Sequence, residues 1–227
     1  MKKIVFIGAG SIIFVKNLIG DCMLTPSLCD SEFALLDINR EKLYLAEGML
    51  KNLNRNVNGG RATVKAYESQ REALAGADFV INAIQVGGYD PCIINDFEIP
   101  LKYGLRQTYA DTLGIGGIMR GLRTIPVMKG ITDDMEELCP NAWLLNYTNP
   151  MAIVTGAVLK SSSIKTIGLC HSVQSCTKNL MDVVGMDCTG VEYKIAGINH
   201  QAWLLEVTKY GRDLYPEIKA RAAQLTE

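Results

Sequence analysis

The first 37 residues constrain the fold most, because they carry the patterns of a strand, a tight turn, a helix and a second strand in direct succession. Residues 2–7 are predicted to form a strand, because residues 4–7 are continuously apolar, and the turn Gly8-Ala9-Gly10-Ser11 follows it. Residues 12–22 have a helical pattern, and a second apolar run at residues 33–37 ends in Asp37. This order is typical of the first strand–helix–strand unit of a dinucleotide-binding sheet.

Strand and helix patterns continue to alternate along most of the chain. Short apolar runs recur at residues 62–66, 79–83, 143–146 and 165–169, with helical patterns between them. The alternation predicts an α/β fold with a doubly wound parallel sheet, Rossmann-like and similar to lactate and malate dehydrogenases. The runs lack polar alternation, as expected of strands covered by helices on both faces.

The pattern changes near residue 191, where two longer strand-like segments precede a helical one. We therefore predict an NAD-binding Rossmann domain over residues 1–190. Residues 191–227 are predicted to begin an α+β C-terminal domain, which is truncated in this chain.

Composition excludes several functions. The formal net charge is −1, and no run of Lys or Arg provides a surface for nucleic acid or an anionic membrane. No segment reaches the roughly 18 apolar residues of a membrane-spanning helix. The seven cysteines have irregular spacing and no CxxC pair, which favours reduced thiols and a cytoplasmic location.

The glycine turn is the first candidate site. Backbone N–H groups at Gly8, Gly10 and Ser11, together with the helix dipole, are suited to bind a pyrophosphate. The third glycine of the usual fingerprint is replaced by Ile13. Asp37 is placed to bond the adenosine ribose, and its charge disfavours a 2′-phosphate, so NAD is predicted rather than NADP. The alternative is an α/β turn that binds no nucleotide.

A cysteine and a histidine form the second candidate site. Cys170-His171 follows the last apolar run of the sheet, and His200 lies in the segment GINH. A thiolate with an imidazole suits a borderline-soft divalent metal, provided that substrate oxygens and water complete the coordination. From spacing alone, a core cysteine and a hydrogen-bonded histidine are the simpler interpretation.

Two further segments carry candidate residues. Asn149 precedes Pro150, which disfavours helix at Asn149 and projects its polar side chain from a strand end. The alternative is a helix cap, and the two interpretations are compatible. The segment 107–123 combines Asp111, glycines and two arginines, and spacing does not separate a ligand-binding loop from an ordinary one.

Taken together, these segments resemble one family. The motifs are FIGAGS, NAIQVGGYDP, EIPLKYGLRQTYADTLGIGG, LNYTNPM, GLCHS and GINH, in that order. They resemble the NAD- and manganese-dependent glycosidases of glycoside hydrolase family 4, most closely the α-galactosidase branch. The resemblance implies hydrolysis by oxidation at C3 of the sugar, elimination, water addition and return of the hydride. It implies NAD and Mn²⁺ as cofactors.

The resemblance also implies residue roles. Cys170 and His200 correspond to the metal ligands, and Asn149 corresponds to a residue that contacts substrate hydroxyls. Asp111 occupies the acidic position that raises the basicity of a catalytic tyrosine, which in the family lies beyond residue 227. His171 stands where phospho-glycosidases carry Asp or Asn, and it is a candidate proton donor.

The resemblance also has implications for the type of sugar and for the oligomeric state. Phospho-glycosidases carry an arginine for the sugar 6-phosphate where this chain has residues 92–95, CIIN, so an unphosphorylated sugar is expected. Family members are dimers or tetramers, which implies a homo-oligomer. The alternatives are an α-galacturonidase or α-glucuronidase of this family, a 2-hydroxyacid dehydrogenase of the lactate/malate type, and an NAD-binding module without catalysis.

Overall fold

The computed structural model describes residues 1–108 and 112–225, which form two compact units, Met1–Leu169 and Cys170–Glu227. The predicted domain boundary after residue 190 falls within the second unit and stays a prediction. Among the described residues, no helix has the length and apolar character needed to span a membrane.

The first unit is a six-stranded parallel sheet with helices between successive strands. Its strands are β1 (Lys3–Ile7), β2 (Glu32–Leu36), β3 (Thr63–Tyr67), β4 (Phe79–Asn82), β5 (Trp143–Asn146) and β6 (Lys165–Gly168). Its helices are α1 (Ile12–Leu24), α2 (Arg40–Asn58), α3 (Gln70–Leu74), α4 (Ile94–Leu101), α5 (Gly114–Leu138) and α6 (Met151–Ser161), and an irregular helical turn, Gly88–Ile93, precedes α4.

The strand order β3-β2-β1-β4-β5-β6 confirms the predicted Rossmann-like sheet. The chain builds outward from β1 to β3, returns to the centre and builds outward again from β4. In such sheets ligands bind at the carboxyl ends of the strands, where the order reverses between β1 and β4.

The central strand shows why the strands lack polar alternation. Val5 and Ile7 pack into the core on one face of the sheet, and Ile4 and Phe6 pack into the core on the other. All four are at most 4% exposed. Both faces of β1 are thus removed from water, and no position along it favours a polar side chain.

Helix α2 has a capping residue at each end. The Asn39 side chain accepts a hydrogen bond from the N–H of Lys42. Gly59 ends the helix with φ of 63°, a left-handed conformation that glycine adopts at little cost.

Helices α4 and α5 are joined by an ion pair. Arg123 donates from both guanidinium NH₂ groups to the Asp96 carboxylate, with Nη1 3.0 Å from Oδ1. The Asp96 side chain is only 6% exposed. Gln107 adds a second link, because its amide donates to the Asp96 carbonyl and accepts from the N–H of Gly116. Sequence reasoning did not predict α4, whose eight residues include Pro100.

The second unit begins with α7 (Ser172–Val183) and continues with the antiparallel strands β7 (Val191–Ile198), β8 (Gln201–Lys209) and β9 (Arg212–Asp213), before α8 (Tyr215–Gln224). Its small core contains Met181 from α7, Val207 from β8 and Ile218 from α8. A sheet packed with helices confirms the prediction that an α+β segment follows the Rossmann sheet. Helix α7 was not predicted.

The Asp96–Arg123 pair generates a stability prediction. Asp96→Ala leaves a largely buried guanidinium without its carboxylate, so we expect a loss of about 2–3 kcal/mol in unfolding free energy. The matched control is Asp133→Ala, which breaks the half-exposed pair with Lys129 on the same helix and is expected to cost under about 0.5 kcal/mol. Urea unfolding measures both, and equal losses would contradict the assignment.

Candidate functional site

The dinucleotide turn lies directly after β1, at the centre of the sheet. Gly8 has φ of 91°, and its N–H donates to the Leu36 carbonyl at 2.9 Å. A Cβ atom on Gly8 would lie 2.6 Å from the carbonyl oxygen of Ala83, just past the end of β4. Glycine is therefore required here both by conformation and by the close approach of the next strand.

Asp37 is held against the same turn. Its Oδ2 accepts the N–H of Gly10 at 2.6 Å, and its Oδ1 accepts the N–H of Asn39 at 2.8 Å. A Cβ atom on Gly10 would lie 2.7 Å from Oδ2, so only glycine admits the carboxylate at this distance. The structure brings the predicted glycine and acid together.

Ser11 occupies the N-cap position of α1 and is exposed, and its side chain makes no cap hydrogen bond. The first turn of α1 contains no acidic residue. The Ser11 N–H donates to the Gly8 carbonyl at 3.1 Å and the Ile12 N–H donates to the Gly10 carbonyl at 3.0 Å, so it is the helix dipole that favours an anion at this end of α1. Gly8, Gly10, Ser11 and Asp37 thus surround a helix N-terminus whose chemistry suits a dinucleotide.

Asn149 follows β5 and is half-buried. Its backbone carbonyl accepts a hydrogen bond from Nε of the buried Arg120 at 3.1 Å. Its peptide bond to Pro150 is cis, and Pro150 occupies the N-cap position of α6. The turn that carries Asn149 is thus held by α5 through a buried guanidinium.

Sequence reasoning missed a buried polar cluster beside Asn149, formed by Asn82, Asn146 and Thr148. Asn82 and Asn146 are fully buried, and Thr148 is 3% exposed. The signal in the sequence was present, because two apolar runs, FVIN and WLLN, each end in asparagine. Only the strand register makes these two residues partners.

The second unit brings Cys170 and His200 together. Sγ of Cys170 lies 3.6 Å from Nε2 of His200, although 30 residues separate them. His200 lies in the two-residue connection between β7 and β8 with φ of 63°, which turns the chain back at this point. Both residues are half-buried.

The Cys170 thiol lies at the start of α7. The N–H of Ser172 donates to Sγ at 3.4 Å, and the Ser172 hydroxyl lies 3.2 Å from Sγ. Burial raises the pKa of Cys170, but hydrogen bonds from Ser172, Asn199 and the His171 backbone outweigh it, and the net pKa is lowered. The environment favours the thiolate, which is the form that binds metals.

The pair fits one edge of a metal site. In a tetrahedral zinc site, metal–sulfur and metal–nitrogen bonds of about 2.3 Å and 2.1 Å place the donor atoms about 3.6 Å apart. The Sγ–Nε2 distance is compatible with this spacing and also with a hydrogen bond between the two side chains. Within residues 1–108 and 112–225, no three His, Cys, Asp or Glu side chains cluster to hold a metal. Substrate oxygens or water would have to complete the coordination.

His171 and Asp111 are the two remaining predicted site residues. His171 is exposed at the N-cap position of α7, where its carbonyl accepts from the N–H of Ser175 at 3.0 Å. Asp111 lies outside the described residues, so its predicted role is not addressed by the structure.

Comparison with known proteins now identifies the family. The sequence model of "Family 4 glycosyl hydrolase" matches residues 3–186, and that of "Family 4 glycosyl hydrolase C-terminal domain" matches residues 195–227. The chain belongs to glycosyl hydrolase family 4. The resemblance predicted from its motifs is thereby confirmed.

Two curated relatives indicate the branch. The chain is 61% identical to an α-galactosidase of Bacillus subtilis (strain 168) over 99% of its own length and 52% of the relative. It is 36% identical to an α-galacturonidase of Thermoanaerobacter italicus over 96% of its length and 48% of the relative. The chain therefore spans about half the length of the curated relatives that it matches.

Solved structures agree on the fold. A 6-phospho-β-glucosidase from Thermotoga maritima, solved with manganese, NAD⁺ and glucose-6-phosphate, superposes with a TM-score of 0.83 at 26% identity, over 98% of this chain and 52% of that one. A lactate dehydrogenase from Eimeria maxima superposes at 0.67 with 18% identity, over 99% and 64%. The second likeness supports the fold alone.

The glycine turn generates a binding prediction. Gly10→Ala places a methyl group against the Asp37 carboxylate, and we expect dinucleotide affinity to fall at least about 10-fold. Gly48→Ala is the matched control, because an added Cβ there meets no atom within 4 Å and the residue lies inside α2. Fluorescence titration with NAD measures both, and an unchanged dissociation constant for Gly10→Ala would refute the close-approach argument.

The cysteine–histidine pair generates a spectroscopic prediction. Co²⁺ added to the reduced protein should produce a near-ultraviolet thiolate-to-cobalt charge-transfer band, because thiolate and imidazole both bind this ion. Cys170→Ser should abolish the band, and His200→Ala should weaken Co²⁺ binding about 10-fold or more. Cys176→Ser, on the exposed face of α7, is the control and should retain the band. A band that persists in Cys170→Ser would exclude this cysteine as a ligand.

Proposed function

We propose that the full-length protein hydrolyses α-galactosides whose sugar is unphosphorylated, with NAD and Mn²⁺ as cofactors. The observation that carries the proposal is the Cys170–His200 pair, at metal-ligand spacing in a chain 61% identical to an α-galactosidase. Neither a simple dehydrogenase of the lactate type nor a two-carboxylate glycosidase requires such a pair.

The cofactor sites are assigned to residues whose geometry suits them. Gly8, Gly10 and Ser11 would hold the NAD pyrophosphate at the start of α1, and Asp37 would bond the adenosine ribose. Bound NAD would supply hydride exchange at C3 of the sugar, and a divalent cation held by Cys170 and His200 would stabilise negative charge on the sugar oxygens.

The remaining candidate residues would act on the sugar or through the tyrosine base. Asn149 would orient the substrate by hydrogen bonds to its hydroxyls, from a turn whose backbone Arg120 holds. His171, exposed at the start of α7, would donate a proton to the leaving group oxygen. Asp111 would raise the basicity of the tyrosine base that the family carries beyond residue 227.

The absence of a charge partner supports an unphosphorylated sugar. Residues 92–95 contain no cation. Arg123 reaches the adjoining backbone, with Nε 3.4 Å from the Val86 carbonyl, but its two NH₂ groups are bonded to Asp96. A sugar 6-phosphate at this segment would compete with a buried carboxylate for the same guanidinium.

Lower identity to α-galacturonidases, 36% against 61%, supports galactosides over uronic acids.

We further propose that residues 1–190 are the NAD-binding domain and that residue 191 begins the C-terminal domain. The reduced thiols support a cytoplasmic location. Exposed apolar side chains on α5, at Ile118 and Leu122, support a homo-oligomer, which sedimentation of the full-length protein would test.

The deciding assay is hydrolysis of nitrophenyl α-galactoside by the full-length protein with NAD and Mn²⁺ together, and then with each omitted. We expect activity only when both are present, and a loss of at least about 100-fold in Cys170→Ser and His200→Ala. Nitrophenyl α-galactoside 6-phosphate should be hydrolysed less efficiently. NAD-independent activity, or NADH formation from a hydroxy acid without glycoside cleavage, would reject the proposal.

A further inference from the structure

A buried hydrogen-bond network ties the exits of two neighbouring strands together. Asn82 ends β4, Asn146 ends β5, and the two are register partners in the parallel sheet. Nδ2 of Asn82 donates to Oδ1 of Asn146 at 2.9 Å, and both side chains are completely buried. Amides in such surroundings are costly unless they are hydrogen-bonded.

Thr148 joins this pair to the backbone of the other strand exit. Its hydroxyl accepts from Nδ2 of Asn82 at 2.9 Å and donates to the carbonyl of Ile84 at 3.0 Å. Asn146 also bonds to the backbone of Thr148. Oδ1 of Asn146 accepts the Thr148 N–H, and Nδ2 of Asn146 donates to the Thr148 carbonyl, each at 3.2 Å. One threonine thus connects the segment after β4 with the segment after β5.

The two connected segments carry different parts of the candidate chemistry. Ile84 follows Ala83, whose carbonyl oxygen lies against Gly8 of the dinucleotide turn. Thr148 precedes Asn149, whose own carbonyl is held by Arg120. A change in the network would therefore move the turn that carries Asn149 relative to the dinucleotide turn.

A packing role alone does not require these side chains. Val80 and Leu144 lie on the same two strands, and both are fully buried apolar side chains that need no hydrogen bond. Replacing paired buried polar groups by apolar ones of similar shape is often nearly neutral for stability. What apolar side chains cannot supply is a directional link between the two strand exits.

We propose that Thr148, with Asn82 and Asn146, is a positioning residue that aligns the substrate-facing Asn149 with the cofactor-binding turn at Gly8. This inference rests on the proposed function, because it assigns Asn149 to the sugar. Misplacing reactants by about 1 Å costs on the order of 100-fold in rate while leaving ground-state binding largely intact. The expected signature is therefore a loss of kcat rather than of affinity.

The test compares Thr148→Val, which removes the hydroxyl and keeps the branched shape, with Thr148→Ser, which keeps the hydroxyl. In the full-length protein, Thr148→Val should lower kcat on nitrophenyl α-galactoside about 10- to 100-fold, with KM and the NAD dissociation constant within about 3-fold. Thr148→Ser should restore most of kcat. The matched control is Thr132→Val, a buried threonine whose hydroxyl bonds only within α5, to the Lys129 carbonyl.

A second measurement is independent of turnover. Amide hydrogen exchange at residues 83–87, remote in sequence from the mutation, should be faster in Thr148→Val than in Thr132→Val. Asn82→Ala, which leaves the Asn149 turn unaltered in sequence, should show the same loss of kcat and the same faster exchange at residue 84 and beyond. Asn82→Ala therefore still tests the proposal if Thr148→Val does not fold.

The outcomes separate the two proposals. Wild-type kcat in Thr148→Val or Asn82→Ala overturns the positioning role while the α-galactosidase assignment stands. A proportional loss of kcat and NAD affinity, not rescued by Thr148→Ser, also overturns it. If the wild type cleaves no α-galactoside, the proposed function fails, and unchanged exchange at residues 83–87 then overturns the positioning role as well.

Discussion

The parallel pairing of β1 with β4 is the constraint on which the first unit depends. It places Gly8 beside Ala83 with no room for a side chain, and it directs the exits of β4 and β5 to one edge of the sheet. The helix-starting turn, Asp37 and the Asn149 turn all lie at the carboxyl ends of the strands because every strand runs in the same direction. A slip of one residue in this register would invert the faces of the strand and separate the amide partners.

The candidate residues of each unit are positioned in a different way. In the first unit, backbone proximity dominates, since Gly10 admits the Asp37 carboxylate and Arg120 holds the carbonyl of Asn149. In the second unit, a hairpin turn dominates, since the left-handed conformation of His200 brings its ring to the Cys170 sulfur. In both units the polar groups lie in short turns that hydrogen bonds or the hairpin geometry fix in place.

A buried ion pair lies next to the segment that follows β4. Arg123 is the guanidinium that reaches the segment following β4, and Asp96 engages both of its NH₂ groups. A cation already bonded to a buried carboxylate is a poor partner for a phosphate dianion, because the carboxylate would be left unpaired. This ion pair joins α4 to α5, and the sequence pattern did not reveal the first of these two helices.

The sequence by itself determined the alternation of strands and helices, the glycine turn with its acid and the family, because hydrophobic period and turn chemistry are local properties. It also placed Cys170, His171, His200 and Asn149 in recognisable motifs. Only the tertiary structure decided that Cys170 and His200 lie at metal-ligand spacing and that Asn82 pairs with Asn146 through Thr148. These contacts join residues 30 and 64 positions apart. Strand register and hairpin geometry bring such residues together, and a sequence pattern read along the chain contains neither.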